Sequence, residues 1–132
     1  MITKDILKEV LAAEIVLDSE EEFEQSGKST FSKVCGCDMM SDLLSLMNDH
    51  EHDNKAVLLL TGLNNPQVVR TCEMVDIKLV VFVRNKQPSD ETVQLARECG
   101  VTLMCTPYTM YKCCGILYDL RMKDLNGEIK TN

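Results

Sequence analysis

A chain of 132 residues with 45% apolar and 27% charged side chains has the size and balance of one globular domain. That excludes a disordered tether, and it excludes a catalytic domain joined to a separate binding domain. Lysine and arginine number 14 against 21 aspartates and glutamates, a formal net charge of −7. Such a surface argues against a broad, non-specific grip on nucleic acid and against electrostatic docking on an anionic membrane.

The charge is uneven. Residues 1–32 hold eight acids and three bases, which accounts for −5 of the total. Its centre, Asp18-Ser19-Glu20-Glu21-Glu22-Phe23-Glu24, reads as part of an acidic surface loop over 18–32. The first residues lack the basic-then-apolar pattern of a signal peptide, and the apolar runs at 56–60 and 79–83 are too short to span a bilayer. A soluble cytoplasmic protein is expected.

Ile2, Ile6, Leu7, Val10 and Leu11 recur at helical spacing and predict a helix over 3–12. Glu14-Ile15-Val16-Leu17 predicts a short strand, and Val34-Cys35-Gly36-Cys37-Asp38 a second strand or its exit. Asp38 is expected to cap the next helix, in which Met39, Met40, Leu43, Leu44, Leu46 and Met47 form an apolar face ending near Asn48. Residues 56–60 read as an apolar strand. Asn65 then offers an N-cap, Pro66 suits the first helical turn, and Val68, Val69, Cys72 and Val75 make an inward stripe.

The run 79–83 lacks alternation, as expected for a strand covered on both faces. Ser89 is placed to cap a helix over 90–99, with Asp90 and Glu91 in its first turn and Gly100 closing it in the left-handed region. Residues 101–105 form another strand. Thr106-Pro107 opens a turn into a last helix whose Met110, Cys113, Cys114 and Leu117 pack inward, with Tyr118 across an edge. A polar tail over 123–132 has a turn at Asn126-Gly127. Three successive strand–helix pairs predict an α/β fold, a three-layer sandwich with a mainly parallel sheet flanked by helices, in a single domain over 1–122.

In such a sheet the loops at the carboxyl ends of the strands form the usual ligand crevice. The candidates there are Thr61, Gly62, Asn64, Asn85 and Thr106, with Arg84 or Lys86 to neutralise a small phosphorylated metabolite or nucleotide. The same residue types serve as caps and turn formers, and both readings stand. There is no Gly-x-Gly-x-x-Gly, and Thr61-Gly62-Leu63-Asn64-Asn65-Pro66 lacks the glycines and lysine of a P-loop.

His50-Glu51-His52-Asp53 brings metal-ligating types together, but residues two apart share no helical face, so the cluster reads as a solvated loop. Cys35-Gly36-Cys37 could offer two thiolates to a metal or exchange a disulfide, yet no second pair at zinc-site spacing follows, Cys113 and Cys114 being adjacent. The odd total of seven cysteines favours buried, reduced thiols over a disulfide framework. No acid–base pair or nucleophile motif is recognisable, so no catalytic residue, metal or cofactor is expected.

The segment Val34-Cys35-Gly36-Cys37-Asp38-Met39-Met40-Ser41-Asp42-Leu43-Leu44-Ser45-Leu46-Met47 resembles the signature of DRTGG domains. There a valine, a small or threonine residue and a pair of glycines precede a Ser-Asp-Leu-Leu-Ser-x-x-Met helix. Gly36, Ser41, Asp42, Leu43, Leu44 and Ser45 carry that likeness here. Later elements follow in register: Leu60-Thr61-Gly62, Phe82 through Pro88, and Leu103-Met104-Cys105-Thr106, so the resemblance covers 2–120. Cys37 stands where the family has its second glycine, and no Asp-Arg precedes it.

The resemblance implies a regulatory or accessory module rather than an enzyme. DRTGG domains occur attached to CBS-containing inorganic pyrophosphatases and phosphotransacetylases, resemble the N-terminal domain of HPr kinase/phosphorylase, and tend to dimerise. For this chain that implies a homodimer and a protein partner such as a metabolic enzyme. The methionines Met39, Met40 and Met47 and the tyrosines Tyr108, Tyr111 and Tyr118 would supply contact surface. In the CBS-linked proteins the CBS part holds the adenine nucleotides, so the resemblance carries no nucleotide site to this chain. A sensor of a phosphorylated metabolite at the strand ends is the alternative reading.

Overall fold

The computed structural model describes residues 2–19, 30–48 and 54–123. Its elements in chain order are β1 (Ile2–Thr3), α1 (Lys4–Val10), β2 (Glu14–Leu17), β3 (Thr30–Phe31), β4 (Lys33–Gly36) and α2 (Met40–Asn48). A 3-10 turn (Asn54–Ala56) leads into β5 (Val57–Thr61), α3 (Pro66–Val75), β6 (Leu79–Phe82), α4 (Asp90–Cys99), β7 (Thr102–Cys105) and α5 (Met110–Asp119). The acidic centre at 20–24, the cluster at 50–53 and the tail after Lys123 lie outside the described residues.

The main sheet has the order β2-β7-β6-β5-β4. Strands β4 to β7 are parallel neighbours, joined in turn by α2, α3 and α4, while β2 lies antiparallel on the β7 edge. Every side chain of β5, β6 and β7 is buried. Alternate residues go to opposite faces, because side chains on a strand alternate with a period of two. Leu59, Val80, Phe82 and Leu103 meet Leu43 and Met47 of α2, Val68, Val69 and Cys72 of α3, and Ala96 of α4. Leu58, Leu60, Leu79, Val81 and Met104 meet Leu7 of α1 and Cys113 and Leu117 of α5. The result is the three-layer α/β architecture read from the sequence.

Local chemistry explains most boundaries. Thr3 and Ser89 accept hydrogen bonds from Ile6 N and Thr92 N and so start α1 and α4. Gly100 ends α4 at φ 74°, where a side chain would be strained. Pro66 sits in the first turn of α3, where no amide donor is needed. The buried Ser19 hydroxyl donates to Val101 O at 2.9 Å, and Lys4 pairs with Asp18 at 2.7 Å, tying the end of β2 to β7 and α1.

Five expectations need correction. Asp38 does not cap α2; its carboxylate crosses to the β5 loop, as described below. Asn65 occupies the N-cap of α3 without a side-chain bond to the helix. Ala56 belongs to the 3-10 turn rather than to the strand. Met39 points out of the apolar face and is exposed, whereas Met40 and Met47 are core residues. Lys123 is not free tail: it forms a parallel bridge with Lys33, receiving Val34 N at 2.9 Å and donating to Ser32 O at 3.0 Å. Two elements had no sequence signal, the short antiparallel pair β1 and β3.

Gly115 lies inside α5, and a Cβ placed there meets nothing within 4 Å among the described residues. Gly115→Ala should therefore raise stability by about 0.5–1 kcal/mol, because helical alanine loses less backbone freedom than glycine. The fully buried Leu59 gives the opposite case, with Leu59→Ala expected to cost about 2–5 kcal/mol. Urea unfolding midpoints of the two variants, measured at concentrations low enough to avoid self-association, test both signs.

Candidate functional site

The parallel register places the carboxyl ends of β4, β5, β6 and β7 at one end of the sheet. Four loops meet there, and they are laced together. Asp38 Oδ1, just past β4, accepts from Gly62 N at 2.7 Å and from the Thr61 hydroxyl at 3.3 Å. Thr61 Oγ1 in turn accepts from Leu63 N at 3.1 Å. Asn64 Nδ2 donates to Gln87 O at 2.7 Å, and Asn64 O accepts from the Thr92 hydroxyl at 3.3 Å. These bonds bridge the loops after β5 and β6.

The loop after β6 has an unusual backbone. Arg84 and Asn85 both adopt left-handed conformations, at φ 56° and 57°. Their amides are fixed by the β7–α5 loop, Arg84 N donating to Tyr108 O and Asn85 N to Thr106 O, each at 2.8 Å. Lys86 N closes the turn onto Val83 O at 3.2 Å. Asparagine tolerates the left-handed region, but an arginine there costs roughly 1–2 kcal/mol. Arg84 is turned so that its guanidinium covers Gly62. A Cβ at Gly62 would lie 2.5 Å from Arg84 Nη2 and 3.4 Å from Asp38 Oδ1. Glycine at this position leaves the guanidinium its space.

The seven candidate residues therefore fall into two groups. Arg84, Asn85 and Lys86 are exposed, and Gly62 and Asn64 are half-buried, all at the mouth of the strand ends. Thr61 and Thr106 are fully buried, with their hydroxyls committed to protein partners. The Thr106 hydroxyl donates to Leu11 O and accepts from Tyr108 N at 3.1 Å, so it builds the loop instead of facing the crevice. Both candidate threonines thus have their hydroxyls occupied within the protein.

Three residues that matter here were not among the candidates: Asp38, Tyr108 and Lys112. The Lys112 ammonium sits 3.8 Å from the centroid of the Tyr108 ring, a cation–π contact that holds it beside the mouth. Among the described residues neither Arg84, Lys86 nor Lys112 makes an ion pair. The acidic counterpart lies to one side, where Gly36, Cys37, Asp38, Met39, Asp42, Ser45 and Leu46 line a concavity of about 500 Å³. The site is thus divided into a basic half after β6 and β7 and an acidic half after β4.

The signature residues take ordinary structural places. Gly36 lets α5 approach β4, with Met110 Sδ 3.1 Å and Cys114 Sγ 3.4 Å from where its Cβ would be. Leu43 is core, Leu44 is half-buried, and Ser41, Asp42 and Ser45 face solvent on α2.

All seven cysteines are free. Cys35 and Cys37 are buried on the same face of the sheet, and the Cys37 thiol donates to Met39 O at 2.9 Å. Burial pushes the thiols of Cys35 and Cys72 up to about 12 and those of Cys105 and Cys113 up to about 11. Among the described residues no group of three or more histidine, cysteine or acidic side chains is arranged to hold a metal. No helix among them is long and apolar enough to cross a membrane.

No family model matches the sequence, and no curated protein matches it. A solved structure does match in shape: the CBS and DRTGG domains of the regulatory region of Clostridium perfringens pyrophosphatase, complexed with the activator diadenosine tetraphosphate. The TM-score is 0.64 at 18% identity, over 98% of this chain and 51% of that one. At this identity the likeness establishes the fold alone, which is that of part of this CBS and DRTGG region. This chain spans about half the length of that structure.

Asp38→Ala removes the acceptor of the Gly62 amide and should destabilise the fold by about 1–3 kcal/mol, while Asp38→Asn, which keeps an acceptor, should cost less. Denaturant melts of the two variants make the comparison. The raised thiols fix a second expectation. The unfolded chain releases its thiol protons near 9 and the folded chain only at about 11–12, so stability is full below 9 and falls as pH rises through that window. Unfolding curves between neutral pH and the alkaline range read it, and a flat profile would contradict the burial argument.

Proposed function

We propose that this chain is a non-catalytic regulatory module whose input is a small phosphorylated ligand held at the carboxyl ends of β5, β6 and β7. The observation that carries the reading is Arg84. It occupies a costly left-handed turn, it has no acidic partner among the described residues, and it is aimed across Gly62 into the crevice with Lys86 beside it. Backbone strain kept at a loop tip is commonly associated with a functional site. A guanidinium suits phosphate because its fork of donors matches two oxygens at once.

Asn64 keeps its amide oxygen and Asn85 its amide nitrogen to orient a sugar or base, and Gly62 leaves the Arg84 guanidinium its place. The solved structure of like fold is described as a regulatory region complexed with an activator, which supports a regulatory role here. The high thiol pKa values support a role without cysteine chemistry, since the thiolate is the nucleophile.

The output of such a module is association, as a homodimer and through it with a metabolic enzyme. Exposed apolar side chains favour this part of the reading: Tyr111 is 90% exposed, Met39 59% and Tyr118 57%. A cytoplasmic setting fits a chain with seven free thiols.

Thermal unfolding in the presence of diadenosine tetraphosphate, ATP, AMP and a set of sugar phosphates tests the ligand. At a hundred times its Kd a true ligand adds about 2.7 kcal/mol of stability, a shift of several degrees. Arg84→Ala should remove most of that shift and leave the fold intact. If no compound in the set moves the midpoint, the strand-end reading fails.

A further inference from the structure

The exposed face of α5 carries Tyr111, Lys112, Gly115, Tyr118 and Asp119, at intervals that place them along one stripe, while Cys113 and Leu117 fill the inward face. A shallow groove of about 500 Å³ follows the stripe. A smaller one of about 160 Å³ shares Cys114 and Tyr118 with it and continues to Val34 and Gly36 on the sheet edge. Glycine inside a helix is unfavourable, and among the described residues nothing comes within 4 Å of a Cβ at Gly115, so these residues give no reason for a missing side chain there. Two rings flank the gap, at four residues before it and three after. The stripe has the form of a seat that another backbone can approach closely, between two rigid aromatic walls.

We propose that the occupant is the α5 helix of a second copy of this chain, packed antiparallel across Gly115. Charge selects this partner and this direction. An antiparallel pair crossing at Gly115–Ile116 sets Lys112 of each copy opposite Asp119 of the other, so one symmetric contact makes two ion pairs. Among the described residues neither side chain has an ionic partner within its own copy. A parallel arrangement would place like charges side by side. The two tyrosines of each copy, 90% and 57% exposed, together supply about 440–740 Å² of the roughly 1,200 Å² a specific dimer requires, and the groove running on to the sheet edge must supply the rest.

This inference rests on the homodimer reading above, and the experiment separates the two. Sedimentation equilibrium of the full chain across micromolar concentrations is expected to show a dimer. Gly115→Leu, which fills the crossing point, should weaken it at least tenfold with an unchanged far-ultraviolet circular dichroism spectrum. Lys112→Glu should do the same by setting like charges face to face, and so should Asp119→Lys. The double variant carrying both exchanges should dimerise again, which a merely misfolded protein would not do. A wild-type dimer insensitive to all of these substitutions overturns the α5 seat and leaves the homodimer standing. A wild-type monomer at every concentration overturns both.

Discussion

Strands β5, β6 and β7 leave no side chain in water, and that double-sided burial governs the rest of the molecule. Both faces of the sheet need helices, which is why α2, α3 and α4 cover one and α1 and α5 the other. The polar work is displaced to the strand ends. Thr61 and Thr106, the first polar residues there, are still inside the protein and must satisfy their hydroxyls locally. They do so in the same way, each accepting from the amide two residues on, so both loops turn sharply just past the last strand residues. Only the residues beyond that turn reach water, and these are the ones gathered around Gly62 and Arg84.

The same constraint explains the edges. A parallel sheet ends in rows of unpaired backbone groups, which invite unwanted pairing. One edge is β2, which runs antiparallel on β7 and is short, with an irregularity between Ile15 and Leu17 that makes it a poor template. The other, at β4, is partly closed by Lys123, which takes the amide of Val34. Beyond that point Gly36 lies under α5 instead, so helix and sheet edge form one continuous surface there.

Elements whose cause is local could be read from the sequence. Ser89, Asp90 and Gly100 delimit α4 through a hydroxyl, a dipole and a left-handed φ, all of which are properties of single residues. The unbroken apolar runs announced strands covered on both faces. Asp38 failed for the converse reason: a cap and a cross-loop acceptor use the same carboxylate, and only the neighbouring strand decides which amide it meets. The basic residues at the mouth were legible as types at strand ends. The aim of Arg84 was not, because it depends on two consecutive left-handed residues, of which Asn85 is a permissive signal and Arg84 is none. Nothing in the sequence marks Tyr108 and Lys112 as site residues, because ring and ammonium meet only once the β7–α5 loop turns into the helix.

Tyr108 joins the two surfaces that carry the functional argument. Its carbonyl accepts the Arg84 amide, its own amide is held by Thr106, and its ring lies beneath the Lys112 ammonium at the start of the α5 stripe. Contiguity of this kind is a route and not in itself a coupling, since a ligand shifts a conformation only by its differential affinity for the two states. The backbone sets the scale of what is needed. A left-handed arginine stores roughly 1–2 kcal/mol, so an alternative arrangement of the Arg84 turn lies within reach of a ligand that discriminates about tenfold between the two. An anion that held the guanidinium would bear on the turn, the turn on Tyr108, and Tyr108 on the one cation that the proposed dimer contact also requires. Linkage would then make the second copy change the affinity for the ligand by the same factor as the ligand changes the affinity for the second copy.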